Sequence, residues 1–188
     1  MFQLLITAHH HGDFAYLPRL FTHIRQLKRS IEGKVFLIDT GVAWSADSWV
    51  CEATENRAPY IVMDAMGYNF AFADGLNAEN FGRLRMQVQV QLIPVGAMLQ
   101  LTFEDQLLQI AVNPALSEPA LVGNLLNLDR PAQGTIRHMI VSQNTLQKND
   151  LHEVNRKGLP DPTIAATVEF VEGEARYYFH NKKGKSDL

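Results

Sequence analysis

Three short apolar runs, each followed by polar residues or glycine, constrain this chain most. They are Phe2–Thr7 (FQLLIT), residues 35–38 (VFLI) and Phe70–Ala73 (FAFA). Runs of this length and apolarity belong to strands buried on both faces, as in parallel sheets covered by helices. Helical patterns separate them. Leu20, Phe21, Ile24 and Leu27 follow Pro18 at helical spacing, and Glu32-Gly33 stops the segment. Residues 45–55 read as a second helix, while residues 60–65 fit either helix or strand. Strand–helix–strand–helix–strand order implies right-handed crossovers and a parallel βαβ sheet in the N-terminal half.

The texture changes near residue 85. Met86, Val88, Val90 and Leu92 alternate with Arg85, Gln87, Gln89 and Gln91, which predicts a half-exposed antiparallel strand over residues 85–93. Leu99, Leu101 and Phe103 alternate again, Glu104-Asp105 reads as a tight turn, and Leu108, Ile110 and Val112 mark the next strand. A short helix is expected over residues 120–128, a strand at residues 139–141 and a helix at residues 151–156. A hairpin turning at Glu172-Gly173 is expected over residues 163–179. The expected fold is α/β: a two-sheet sandwich flanked by helices, parallel at first and largely antiparallel later. One domain over residues 1–180 is preferred to two, because no linker-like composition marks the change at 85. The polar residues 181–188 read as a flexible tail.

Composition removes several function classes. With 188 residues, 46% hydrophobic and 20% charged, the chain can build one core and is not of disordered type. A net charge of -3 argues against a nucleic-acid partner held by bulk charge. No apolar run reaches the roughly 20 residues of a membrane helix, and no membrane partner is expected. The single cysteine, Cys51, excludes an intramolecular disulfide and any cysteine-built zinc site. The opening residues lack a basic leader, so a cytoplasmic location is expected.

In open parallel sheets ligands bind beyond the carboxyl ends of the strands. Three such ends carry polar groups here: residues 7–13, 39–42 and 74–80. The first, LLITAHHHGDF, resembles the first motif of the calcineurin-like metallophosphoesterases, above all their 5'-nucleotidase branch. There a strand ends in Thr-Asn-Asp-x-His-Gly, and the Asp and His bind metal. Thr7, His11 and Gly12 match, while Ala8 and His9 replace the Asn and the ligand Asp. The family's second strand ends Asp-Ala-Gly-Asp, whose last Asp bridges two metals. Here Asp39-Thr40-Gly41-Val42 puts a valine in that place. The run Asp64-Ala65-Met66-Gly67-Tyr68-Asn69 and the strand after it match the next segment. Asp74-Gly75-Leu76-Asn77 then stands where the family has Gly-Asn-His-Glu. Val141-Ser142-Gln143-Asn144 corresponds to a strand ending Ser-His, and the final Gly-His-x-His motif is absent. The resemblance covers residues 2 to about 85 well and the rest weakly.

The resemblance implies a metallophosphoesterase-like sandwich whose chemical letters have changed. Two dications roughly 3.5–4 Å apart need bridging anions. Val42 cannot coordinate, and His9 in place of Asp removes negative charge, so the donor set moves from carboxylate toward imidazole. The candidate ligand or phosphate-binding residues are His9, His11, Asp39, Asp74, Asn77, Gln143 and Asn144. His9, His11 and Asp39 are the candidate metal ligands, for one divalent ion or none. No residue is assigned a catalytic role. Each has a structural alternative. In an extended chain His9 and His11 point one way and His10 the other, yet loop histidines also serve as backbone partners. Asp39 can cap the following loop, and Asp74 and Asn77 are turn residues by type.

Three function classes follow. One is a protein with a degraded dinuclear site that binds a nucleotide, another phosphate ester or a partner in the old cleft. Another is an active phosphoesterase with a rebuilt mononuclear His/Asp site. The last is a non-enzymatic interaction protein, a homodimer joined through the edge strand at residues 85–93.

Overall fold

The computed structural model describes residues 2–103, 106–112, 120–122, 125–128, 134–142, 145–154 and 156–183. Its first strand, β1 (Phe2–Thr7), is buried along its whole length. It pairs in parallel with β2 (Lys34–Asp39), which pairs in parallel with β3 (Phe70–Ala73). The three apolar runs are therefore neighbours in one sheet, as their sequence order implies. Helix α1 (Leu17–Ser30) crosses from β1 to β2 with Pro18 in its first turn. Helices α2 (Trp49–Ala53) and α3 (Ala58–Ala65) fill the second crossover, so the ambiguous residues 60–65 are helical.

Side-chain alternation along these strands separates two cores. Phe2, Leu4, Ile6, Phe36, Ile38, Phe70 and Phe72 pack with Leu99, Leu101, Leu108 and Ile110 of a second sheet. Leu5, Leu37 and Ala71, on the opposite face, pack against the helices. A strand covered on both faces has no polar side, which is why these runs are continuously apolar. Thr7 and Asp39 lie on the helical face, as the last paired residues of β1 and β2. That places their polar groups at the carboxyl end of the sheet.

The six-stranded sheet runs β10-β9-β1-β2-β3-β4, and the four-stranded sheet β5-β6-β8-β7. Here α4 is Ala78–Arg85, β4 is Gln91–Pro94, β5 is Met98–Phe103 and β6 is Gln106–Val112. The remaining strands are β7 (Ala120–Val122), β8 (Leu125–Leu128), β9 (Thr135–Ser142) and β10 (Thr145–Glu153), and α5 is Pro162–Lys183. The fold is thus a mixed α/β sandwich of two sheets, with helices over one face of the larger sheet.

Five sequence expectations are corrected. The strand expected at residues 85–93 is the end of α4, a turn, and the short β4, which pairs in parallel with β3. Asp64 Oδ1 accepts the N–H groups of Gln89 and Val90 at 2.7 and 2.8 Å, and this turns the chain into β4. The helix expected at residues 120–128 is the β7–β8 pair. Residues 151–153 end β10 instead of forming a helix. The hairpin expected at residues 163–179 is one helix, α5. Its Ile164, Val168, Val171 and Ala175 are buried at helical spacing against the α1–α3 layer. Gly173 sits inside α5 on its open side, where an added Cβ would meet nothing within 4 Å. The first three residues of the expected tail, 181–183, belong to α5. The turn read at Glu104-Asp105 lies outside the described residues.

Candidate functional site

Beyond β1 and β2 the chain keeps pairing although the strands have ended. Thr40 N–H donates to Thr7 O at 2.8 Å, His9 N–H to Gly41 O at 3.0 Å, His11 N–H to Val42 O at 3.0 Å, and Gly12 N–H to Ala43 O at 2.9 Å. The zipped pair of loops forces unusual backbone. His9, His11 and Val42 have φ of 60°, 52° and 56°. Histidine tolerates the left-handed region, whereas β-branched valine is strained there. Because neither His9 nor His11 is extended, the alternation that paired them and excluded His10 does not apply. Their rings still approach edge to face, with centroids 5.4 Å apart.

His10 is the histidine that turns inward. It is buried, with Nε2 3.0 Å from Asp39 Oδ2 and 3.1 Å from Thr7 Oγ1. Asp39 is fully buried. Its Oδ1 accepts the N–H of Gly41 at 2.9 Å, and its Oδ2 accepts the Thr7 hydroxyl at 3.1 Å. Thr7 has one hydrogen and directs it to Asp39, so the Tyr68 hydroxyl, 2.8 Å from Thr7 Oγ1, is the donor of that pair. Burial first, and the Asp39 charge second, push the Tyr68 hydroxyl well above the ordinary phenol range, which keeps its proton in place. Tyr68, Thr7, His10 and Asp39 thus form one buried network.

Asp74, just after β3, points at the same loop. Both of its carboxylate oxygens lie 3.0 Å from the Val42 nitrogen and accept its N–H. Gly41 has φ of 107°, and a Cβ there would meet the Asp74 carboxylate at 3.3 Å, so the approach of these loops needs a glycine. Tyr60 of α3 lies beneath. Burial and the nearby Asp74 and Asp39 charges raise its hydroxyl well above the ordinary value. The structure therefore gathers His9, His11, Asp39 and Asp74 around residues 39–43. It does not bring in Asn77, which is exposed and caps α4 by accepting the N–H of Asn80 at 2.8 Å. Gln143 and Asn144 lie outside the described residues.

A cleft of about 320 Å³ opens beside these loops. It is lined by His11, Gly12 and Asp13 after β1, by Ser45, Ser48 and Trp49 after β2, and by Glu172 of α5. Two arginines stand against lining residues. Arg156 Nη1 is 3.8 Å from Asp13 Oδ2, and the Arg176 guanidinium lies 5.9 Å from the Trp49 ring centre. Cys51 is buried beneath the cleft, and burial raises its thiol above the ordinary range, against a role as nucleophile. Among the described residues, no group of three or more His, Cys, Asp and Glu side chains is placed to hold a metal ion.

Sequence reasoning missed His10, Tyr68 and Glu172. His10 was excluded by assuming an extended chain. Glu172 was placed in a turn that does not exist. Tyr68 lies in a matched run, but nothing in its residue type announced a bond to Thr7.

No family model matches the sequence, and no curated protein matches it. Solved structures do match the fold. The sulfate thiohydrolase SoxB of Thermus thermophilus aligns with a TM-score of 0.56 at 12% identity, over 97% of this chain and 61% of that one. The NAD nucleotidase NadN of Haemophilus influenzae aligns with a TM-score of 0.43 at 10% identity, over 59% of this chain and 26% of that one. This chain thus spans less than two thirds of either protein. No described helix is long and apolar enough to cross a membrane. The order β1-β2-β3 of parallel strands, the second sheet packed behind them and the SoxB alignment together show that this chain shares the two-sheet α/β fold of that solved structure.

Proposed function

We propose that this protein is a metallophosphoesterase-like binding protein, which holds a phosphate-containing small molecule or partner group in its cleft without a two-metal hydrolytic centre. The observation that carries this reading is the state of Asp39. Its two oxygens already accept from Gly41 N–H and the Thr7 hydroxyl, with His10 Nε2 against the second, and it has no exposed surface. A carboxylate so engaged has no lone pair directed at solvent. Val42 occupies the place of the family's bridging carboxylate and coordinates nothing. Without that anion two dications about 4 Å apart repel unscreened. The residues present therefore do not fit a bridged metal pair.

The cleft itself supports ligand binding. It lies at the carboxyl ends of parallel strands, where ligands of open α/β sheets sit. It offers the His11 ring and the Ser45 hydroxyl as partners for phosphate oxygens, with Trp49 at its rim, while the Ser48 hydroxyl already donates to Gly12 O. A nucleoside monophosphate matches this mixture of polar and aromatic lining. We place the protein in the cytoplasm and expect neither a nucleic-acid nor a membrane partner.

The adjacent His9 and His11 rings favour a second reading, an active phosphoesterase with one ion held by imidazoles and a displaced carboxylate. One experiment separates the two. Calorimetric titration with adenosine monophosphate, beside an assay of aryl phosphate hydrolysis with and without added zinc or manganese, is expected to give saturable binding and no turnover. Metal-dependent turnover lost in His11→Ala would replace the first reading by the second. Absence of both binding and turnover would overturn both.

A further inference from the structure

We propose that β5 is a self-pairing edge through which two copies of this chain form a closed dimer. β5 terminates the four-stranded sheet, and among the described residues its only strand partner is β6. Its outer side therefore presents a row of main-chain donors and acceptors. Its sequence, MLQLTF, contains no charged residue and no proline. Sheet edges that must stay single are usually guarded by such residues. The contrast lies in the same molecule. β4, the terminal strand of the other sheet, is four residues long and ends in Pro94. One edge is guarded and the other is not.

The occupant follows from register. Burial alternates strictly along β5: Leu99 and Leu101 are buried against the larger sheet, while Met98, Gln100 and Thr102 are exposed. Residues opposed in an antiparallel pair point to the same face of the sheet, so an apolar position must meet an apolar one. β5 satisfies this against itself. With Gln100 opposite Gln100 on a two-fold axis, Leu99 meets Leu101 of the second copy and Met98 meets Thr102. The inner apolar face then continues across the axis, and Met98, 44% exposed, gains the Thr102 side chain of the second copy as a cross-strand neighbour. With no charge on the strand, no like-charge contact opposes the pairing. Pairing about a two-fold axis uses up both edges, so growth stops at two copies.

Analytical ultracentrifugation of the full chain over a range of concentrations tests this. The expected result is a mass approaching twice 21.2 kDa at high concentration, falling to the monomer on dilution. Gln100→Lys sets two ammonium groups against each other on the axis and is expected to raise the dissociation constant at least about tenfold. A second variant does not depend on losing anything. Gln100→Cys is expected to give a disulfide-linked dimer on oxidation, because the only native cysteine, Cys51, is buried. Leu159→Cys, 83% exposed on another surface, is expected to give none under the same conditions. A wild-type monomer at every concentration would overturn the proposal. So would open-ended aggregation, or a dimer indifferent to Gln100→Lys that Gln100→Cys fails to cross-link.

Discussion

Thr7 and Asp39 face each other as the last paired residues of β1 and β2, and the threonine hydroxyl donates to Asp39 Oδ2 at 3.1 Å. This pairing turns the end of the central parallel pair into a buried polar joint that includes His10 and Tyr68. In the family the chain resembles, this end of the sheet carries metal ligands. Here its main carboxylate is spent on the protein's own donors.

Removing that carboxylate should therefore cost stability. Asp39→Ala leaves Gly41 N–H, the Thr7 hydroxyl and His10 facing a void. Its cost is expected to be about 3 kcal/mol in urea unfolding, since buried donors lose a charged acceptor. Asp39→Asn keeps the shape and some of the bonds and should lose about half as much. A change below about 0.5 kcal/mol for Asp39→Ala would contradict the structural role.

Val42 makes the opposite prediction. Its φ of 56° is unfavourable for a β-branched residue, and its N–H is held by Asp74. Val42→Asn tolerates that backbone and keeps the N–H. It is expected to raise stability by roughly 0.5–1 kcal/mol, read as a higher urea midpoint at unchanged slope. A loss of stability would mean that valine packing outweighs the strain.

Asp161 anchors the start of α5. Its Oδ1 accepts the N–H groups of Thr163 and Ile164 at 3.0 and 3.3 Å, and its Oδ2 is 2.6 Å from Arg25 Nη1. Burial alone would raise its carboxyl, but these hydrogen bonds together hold it below its ordinary value of 3.8. A depressed carboxyl contributes stability that is complete above the unfolded value and is lost as pH falls through the folded one. Asp161→Ala is expected to cost about 1–2 kcal/mol at pH 7 through the lost cap. It should also flatten the fall in stability below about pH 4. Unfolding curves from pH 7 to pH 3 check both.

His23 acts in a higher window. Burial first, and the nearby His152 second, lower its pKa from 6.5, and the two rings lie 6.0 Å apart. A histidine whose folded pKa is depressed opposes folding once the unfolded chain takes up the proton. Its penalty is absent above about pH 6.5 and grows as pH falls below it. The thermal midpoint of the wild type is expected to drop between pH 7 and pH 5, and His23→Gln to drop less. An equal drop in both would locate the acid sensitivity elsewhere.

How far the sequence could be read differs between the two halves. β1, β2, β3 and α1 were legible because their apolar residues are buried by neighbours close in sequence, so pattern and environment agree. α5 was not. Thr163, Thr167, Val168 and Val171 favour strands, Tyr177 and Tyr178 do likewise, and Glu172-Gly173 imitates a turn. What selects the helix is burial of Ile164, Val168, Val171 and Ala175 against helices formed from residues 17–65, a tertiary preference that local propensity does not record. At the site, Asp39 and Asp74 were legible as acids at strand ends. His10 was hidden because left-handed backbone at His9 and His11 exchanges the faces that an extended chain would present.

The central claim is that the polar groups at the ends of β1 and β2 hold the fold and not a pair of ions. The most direct test is metal content by mass spectrometry of untagged protein, loaded with excess zinc or manganese and then dialysed, for wild type and Asp39→Asn. The account predicts fewer than two ions per chain and no difference between the two proteins. Two ions retained per wild-type chain, and lost in a folded Asp39→Asn, would contradict it.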